Sequence, residues 1–289
     1  MRRLGSILLA LVAIHFALCS GAQSLHPQLS YLGFDRNEYP GDAALDGLRL
    51  SFRFAGYWLN PPPGTAKNSW TGKRRILRQH GFGFLVLFNG RTDAELKGRD
   101  AAALGAADGR AAVAAAAREG FPRHVLIFLD QEEGGRLLSE QAAYIFAWAH
   151  AVRAAGARAG VYCSAIDVPE GTASISTARD LVEREEQQRA SASAGARQPR
   201  LFFWVANDQC PPSPGCAPTS MPPSSGFAWG DARAVVWQYA LSPRRPQFSA
   251  SCPRNAASDG NCYAPSMPPS RDTFVDLDLA ASPDPSEDR

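Results

Sequence analysis

Eight short apolar runs recur along the chain: Tyr31–Asp35, Phe52–Leu59, Gly83–Asn89, His124–Asp130, Ala159–Ser164, Leu201–Asn207, Ala234–Ala240 and Thr273–Leu279. They are rich in β-branched and aromatic residues with little polar alternation, which suits strands buried on both faces. The first five are each followed by a stretch with helical character. These are Asp42–Leu50, Trp70–His80 (ending at Gly81), the Ala-rich Asp93–Arg118, Ser139–Ala155 (closed by Gly156) and the charged Ala178–Ala194. Gly98, Gly105 and Gly109 interrupt the third stretch, so it reads as one or two helices. After the sixth run the connections change. Gln209–Gly230 and Leu241–Asp272 are rich in Pro, Ser, Gly and Cys, lack an amphipathic period, and read as long loops. The alternation predicts an α/β fold with a parallel sheet. Eight strands allow closure into a TIM-like (β/α) barrel of five strand–helix units followed by three strands. A doubly wound open sheet is the alternative, but no GxGxxG follows any run.

The termini fall outside this pattern. Arg2 and Arg3 precede the apolar stretch Leu4–Leu18, and Ser20-Gly21-Ala22 supplies small residues for cleavage after Ala22. The stretch is shorter than the ~20 residues of a bilayer span. Residues 1–22 are therefore predicted to be a signal peptide, 23–281 the barrel domain, and the polar, Pro-containing 282–289 a disordered tail. The product would be secreted or periplasmic, free of the membrane after cleavage, and monomeric. Hydrophobic residues make up 45% of the chain, enough for a large core. Loss of Arg2 and Arg3 would leave 28 basic and 28 acidic residues. That balance, without a basic cluster, speaks against nucleic acid as a partner. No CxxC occurs and the histidines are scattered, so neither a metal nor another cofactor is expected.

In α/β barrels the reactive groups sit where strands end, and here acids sit there repeatedly. Asp35 ends the first run, Asp130 the fourth, Asp208 follows the sixth, and Asp276 and Asp278 lie inside the eighth. Asp130 and Glu132 are two apart on an extended segment, so they share a face about 6.6 Å apart along the chain. Of two such neighbours the less solvated keeps its proton, giving the protonated acid beside a carboxylate that glycoside cleavage uses. A helix-capping Asp130 with a solvated Glu132 is the bland alternative. Asp276 in an apolar strand needs a partner wherever it points. Tyr57, Trp58, Trp237 and Tyr239 are candidates for stacking on sugar rings, with Asn89 and Asp208 as polar contacts at strand ends. Trp204 reads as core, and Arg91 and Lys73 are candidates for an anionic substrate group.

Several of these segments together resemble a known family. They are Gly33-Phe34-Asp35, Asp130-Gln131-Glu132, Gly160-Val161-Tyr162-Cys163-Ser164, Phe203-Trp204-Val205-Ala206, Trp237-Gln238-Tyr239 and Val275-Asp276-Leu277-Asp278. Their order is similar to the strand motifs of glycoside hydrolase family 25, the lysozyme-like muramidases. It is closer still to an exported bacterial glycoside-hydrolase-like family catalogued as a domain of unknown function. The resemblance implies Glu132 as general acid/base, Asp130 as its partner carboxylate, and Asp35 and Asp276 as the other acids of the pocket. It also implies a β-linked amino-sugar glycan, such as peptidoglycan, as substrate, with the substrate's own N-acetyl group as a potential nucleophile. Tyr57-Trp58-Leu59-Asn60-Pro61-Pro62-Pro63 and Gln131-Glu132-Glu133-Gly134-Gly135 depart from the muramidase pattern. Two other functions fit the same chain: a non-catalytic glycan-binding or cell-envelope module, and a structural exported protein whose acids only hold loops.

Cys210 and Cys216, and Cys252 and Cys262, would each close a short loop in a helix-poor segment, while Cys163 sits in an apolar run. Two disulfides, Cys210–Cys216 and Cys252–Cys262, are therefore expected, each contributing roughly 2–3 kcal/mol. Non-reducing peptide mapping should recover both pairs with Cys163 as a free thiol. Any peptide linking Cys163 to another cysteine would contradict the scheme.

Overall fold

The computed structural model describes residues 30–193, 199–209, 234–241 and 275–287. The predicted signal peptide and the four cysteines expected to pair, Cys210, Cys216, Cys252 and Cys262, lie outside these residues. In chain order the strands are β1 (Tyr31–Asp35), β2 (Phe54–Trp58), β3 (Gly83–Asn89), β4 (Leu126–Asp130), β5 (Arg158–Ser164), β6 (Val168–Glu170), β7 (Ala173–Ile175), β8 (Phe202–Ala206), β9 (Ala234–Ala240) and β10 (Asp276–Ala280). The helices are α1 (Leu45–Ser51), α2 (Arg74–Gln79), α3 (Asp93–Leu96), α4 (Ala101–Arg118), α5 (Ser139–Ala154) and α6 (Thr177–Ser191). Eight strands close a barrel in the order β1-β10-β9-β8-β5-β4-β3-β2, and β6 and β7 form a separate hairpin. The barrel is the TIM-like arrangement that the alternation predicts, and all eight apolar runs supply its strands.

The sheet is not wholly parallel, as the alternation implied. β10 runs antiparallel to both β9 and β1, while the other pairs are parallel. A parallel neighbour requires a crossover, usually helical. The segment before β10 has no helical period, and an antiparallel neighbour needs none. The β6–β7 hairpin was not foreseen either: its strands are three residues each and largely solvent-accessible, and only Gly171, at φ 60°, marks the turn.

Asp93–Arg118 resolves into the short α3 and the long α4. Gly105 and Gly109 lie inside α4 without breaking it. A side-chain carbon at Gly105 would fall 2.2 Å from the Tyr144 carbonyl oxygen, and one at Gly109 would fall 2.6 Å from that of Trp148. The two glycines, one turn apart, form a flat stripe against which α5 packs at backbone distance. Their role is close approach, which offsets the roughly 1 kcal/mol that each costs in helix propensity.

Strand alternation sorts side chains into two layers. Phe34, Tyr57, Phe84, Val86, Ile127, Val161, Cys163 and Phe203 point outward beneath the helices and are fully buried. Cys163 is a buried free thiol, and burial pushes its titration up. Leu85, Leu87, Phe128, Trp204 and Val236 fill the barrel interior, also buried.

The chain's last segment corrects an expectation. Ser282–Glu287, predicted to be disordered, docks against the N-terminal end of the barrel. The Ser286 amide donates to the Phe84 carbonyl (2.9 Å), and the Leu126 amide donates to the Ser286 carbonyl (2.8 Å). The Val86 amide donates to Ser286 Oγ (2.8 Å), and the Phe84 amide donates to Asp284 Oδ1 (2.9 Å). Glu287 pairs with Arg74 (2.8 Å) and with Arg78. Polar composition alone suggested disorder, but these polar groups satisfy strand amides that β3 and β4 leave open below their pairing at Val86 and Ile127. Deleting residues 282–289 would strand three buried donors, each worth about 1–3 kcal/mol. Urea titration should show a loss of at least about 3 kcal/mol, and an unchanged midpoint would refute the docking.

Candidate active site

β4 delivers Asp130 to the rim of the barrel, and the following loop is pinned from three sides. The Gln131 amide donates to the Tyr162 carbonyl (3.1 Å). The Glu133 carboxylate accepts from the Asp93 amide (3.0 Å), from Gln141 Nε2 (3.1 Å) and from Gln131 Nε2. Thr177 Oγ1 donates to the Gly135 carbonyl (2.9 Å). Glu133 is thus a fastener between α3, α5 and the loop. The side chains left facing the cleft are Asp130 and Glu132. A cleft of about 400 Å³ opens there, lined by Pro63, Asn89, Arg91, Asp130, Glu132 and Glu133, among others.

The two acids differ in solvation. Asp130 is 6% exposed and accepts no hydrogen bond from any described residue, whereas Glu132 is exposed at the mouth. Burial, followed by the charges of Glu132, Asp35 and Glu133, pushes Asp130 well above the usual carboxylate range. Glu132 is also raised, by partial burial and then by Glu133. Both members of the pair therefore hold a proton more tightly than an ordinary carboxyl, and the deeper Asp130 is the less solvated of the two.

Asp35 and Asp276 face each other as a register pair of β1 and β10, across the barrel from Asp130. Room for Asp35 comes from Gly56 of β2, where a side-chain carbon would fall 2.6 Å from Asp35 Cβ. Asp35 is buried and accepts from Gln238 Nε2 (2.8 Å), and Gln238 Oε1 accepts from the Tyr162 hydroxyl (2.7 Å). The Tyr162 phenol gathers the cluster. Its titration is pushed up by burial and then by Asp130, Asp35, Asp276 and Glu132. All four acids predicted for the pocket thus act on one side chain.

The predicted binding residues divide. Asn89 lines the cleft and is tied by its Nδ2 to the Pro61 carbonyl (2.9 Å) and by its amide to Asn60 Oδ1 (2.7 Å). Trp58 is buried at the inner end of β2, its Nε1 donating to the Arg36 carbonyl (3.0 Å). Asp208 lies two residues beyond β8, half-buried. Tyr57 is not brought to the site. It is fully buried in the outer layer against Trp70, Phe84 and Phe121, with its hydroxyl on Glu119. Trp237 is also turned away: it pairs in register with Leu279 and Val205 and is buried, its Nε1 donating to the Asn207 carbonyl (2.9 Å). Tyr239 falls at the register shift between β9 and β10 and is buried near Asp278. Arg91 borders the cleft but grips Asp108 through two bonds (2.6 and 3.0 Å), and Lys73 pairs with Asp42 (3.0 Å).

Three residues that the sequence analysis did not assign to the site join the cluster: Tyr162, Gln238 and Asp278. Asp278 is fully buried, and its Oδ1 accepts from Trp204 Nε1 (3.0 Å). Trp204 stacks at 4.5 Å on Tyr162, so its core position also serves the site. A period-two count from Asp276 finds Asp278, and a lone amide between two aromatic residues in a buried strand finds Gln238. Among the described residues no group of side chains could hold a metal ion, and no helix is long and apolar enough to cross a membrane.

A family model described as the Rv2525c-like, glycoside hydrolase-like domain matches residues 53–209. The chain is similar to the crystal structure of an uncharacterized B. stearothermophilus protein. The two are 22% identical over 86% of this chain and 95% of that one, with a TM-score of 0.53. It is also similar to the Clostridium perfringens spore cortex lytic enzyme SleM, at 18% identity over 90% of this chain and 70% of that one, with a TM-score of 0.50. The Mycobacterium tuberculosis Tat-secreted protein Rv2525c aligns at 12% identity over 89% and 96% of the two chains, with a TM-score of 0.48. At these identities the likeness is one of fold. No curated protein sequence matches the chain.

Three buried acids with raised titration make stability depend on pH in an unusual direction. Burial is the main cause for Asp35, raised to about 6, and for Asp130 and Asp278, both raised well above the usual carboxylate range. Above about pH 4 the folded state therefore holds more protons than the unfolded one, so these groups favour folding less as pH rises. For Asp35 the loss runs between about pH 4 and 6 and amounts to about 3 kcal/mol. Melting curves at pH 5 and 7.5 should differ less in Asp35→Asn than in the wild type. Equal differences would contradict the assignment.

Proposed function

The chain belongs to the Rv2525c-like, glycoside hydrolase-like family, and on that premise we propose that it is an exported enzyme cleaving β-linked amino-sugar glycans, peptidoglycan among them, by acid catalysis. The observation that supports this most is the Asp130–Glu132 pair: two carboxyls on one cleft, one buried and unpaired, the other at the mouth. Glycoside cleavage needs a proton delivered to the leaving oxygen and negative charge near the oxocarbenium-like centre that forms as the C–O bond breaks. Glu132 stands where a bound chain would pass. A sugar covering the mouth would strip water from it, raise its proton affinity toward that of Asp130 and load it as donor. Asp130, relieved of its proton, then faces the developing positive charge together with Asp35. SleM, similar in fold, is by its name a spore cortex lytic enzyme. The signal-like N-terminus and the absence of any cofactor requirement in this chemistry agree with an exported hydrolase acting as a monomer.

Incubation of the purified protein with peptidoglycan and with chitin oligomers, following new reducing ends, tests the reading. Glu132→Gln should lower turnover by about 10²–10⁴-fold, equivalent to about 3–5 kcal/mol of transition-state stabilisation, with the fold intact. Asp130→Asn should lose a comparable amount, and wild-type activity should fall as pH rises through the donor's titration. Full activity in Glu132→Gln would remove it as the donor. A glycan that binds but is released uncut by wild type and variant alike would make the barrel a binding module.

A further inference from the structure

We propose that Asp278 is a positioning residue that stays a neutral carboxylic acid and donates its proton to Asp35, so that the two buried carboxyls carry one negative charge between them. The geometry leaves little alternative. β1 and β10 place Gly33 opposite Asp278 and Asp35 opposite Asp276, all four on the inner face. The Asp35 and Asp278 carboxyls are in hydrogen-bonding contact, which two carboxylates cannot make without a proton between them. The outer oxygen of each is already taken. Trp204 Nε1, which can only donate, holds Asp278 Oδ1 at 3.0 Å. Gln238 Nε2 holds Asp35 Oδ2 at 2.8 Å, and the amide cannot be reversed because the acid it meets needs a donor. Asp278 Oδ2 is buried and receives no hydrogen bond. An ionised oxygen in that position would be an uncompensated buried charge, whereas a protonated one has Asp35 to donate to.

The charged and titratable neighbours agree with this assignment. Asp278 meets Asp35 on β1, Asp276 on its own strand and the Tyr239 phenol on β9. No basic side chain among the described residues is hydrogen-bonded to either carboxyl of the pair. The functional consequence follows from the charge count. Asp35 acts on Asp130 at a distance, so holding Asp278 neutral limits the negative charge beneath the cleft. As a role in catalysis this rests on the glycan-cleaving reading; as a statement of where the proton sits it does not.

The test reads the proton directly. Infrared difference spectra of the whole protein at pH 7 should contain a protonated-carboxyl band that disappears in Asp278→Asn. That variant retains both hydrogen bonds, accepting from Trp204 and donating to Asp35. Carbon-detected titration of Asp35 should then move to lower pH in Asp278→Asn, by about one unit or more, because a permanent neutral donor replaces a shared proton. In Asp278→Leu, which offers no donor, it should move to higher pH. A residue that merely filled space would not shift Asp35 in opposite directions in the two variants. An unchanged carboxyl band in Asp278→Asn would overturn the proposal, and that measurement decides even if Asp278→Leu does not fold. Reducing-end assays on the same samples report separately on the hydrolase reading.

Discussion

The upper half of this barrel depends on how carboxyl groups are kept inside an apolar wall. A buried, unpaired carboxylate is costly enough that it takes up a proton or finds donors. The chain supplies donors for one pair and withholds them from another acid. Asp35 and Asp278 are held by Gln238 and Trp204, each fixed in turn by Tyr162 through a hydrogen bond or a stacked ring. Gly56 makes the space that Asp35 occupies. Asp130 accepts no side-chain hydrogen bond from any described residue and opens onto the cleft, and burial raises its affinity for a proton.

The two ends of the barrel are built on opposite rules. At the N-terminal end the tail residues Asp284 and Ser286 occupy the open amides of β3 and β4, and Glu287 neutralises Arg74 and Arg78. At the C-terminal end the loop after β4 is held rigidly by Glu133 and Thr177 while the neighbouring Asp130 is left unsatisfied. Segregating stability to one face and reactive groups to the other is characteristic of α/β barrels. Here it places the strain of buried charge where chemistry can use it.

The strand positions were legible in the sequence because strands buried on both faces have no polar alternation to confuse them with helices. The acids at strand ends were legible for the same reason: a carboxyl closing an apolar run stands out. What could not be seen was which face each residue takes. Trp237-Gln238-Tyr239 looked like an aromatic platform, but alternation turns Trp237 outward and Gln238 inward, and a register shift beside β10 leaves Tyr239 buried near Asp278. Tyr57 likewise falls on the outer face of β2. The docking of Ser282–Glu287 was hidden because its stabilisation comes from hydrogen bonds to strand amides distant in sequence, which composition does not record. The reversed direction of β10 was hidden because an apolar run by itself carries no sign of strand direction.

A crystal structure of Glu132→Gln soaked with a β-linked N-acetylglucosamine oligomer tests the central claim most directly. The account predicts a glycosidic oxygen within hydrogen-bonding distance of the residue-132 amide, with Asp130 and Asp35 facing the adjoining sugar carbon. An oligomer lying elsewhere on the barrel, with residues 130 and 132 touching only solvent, would contradict it.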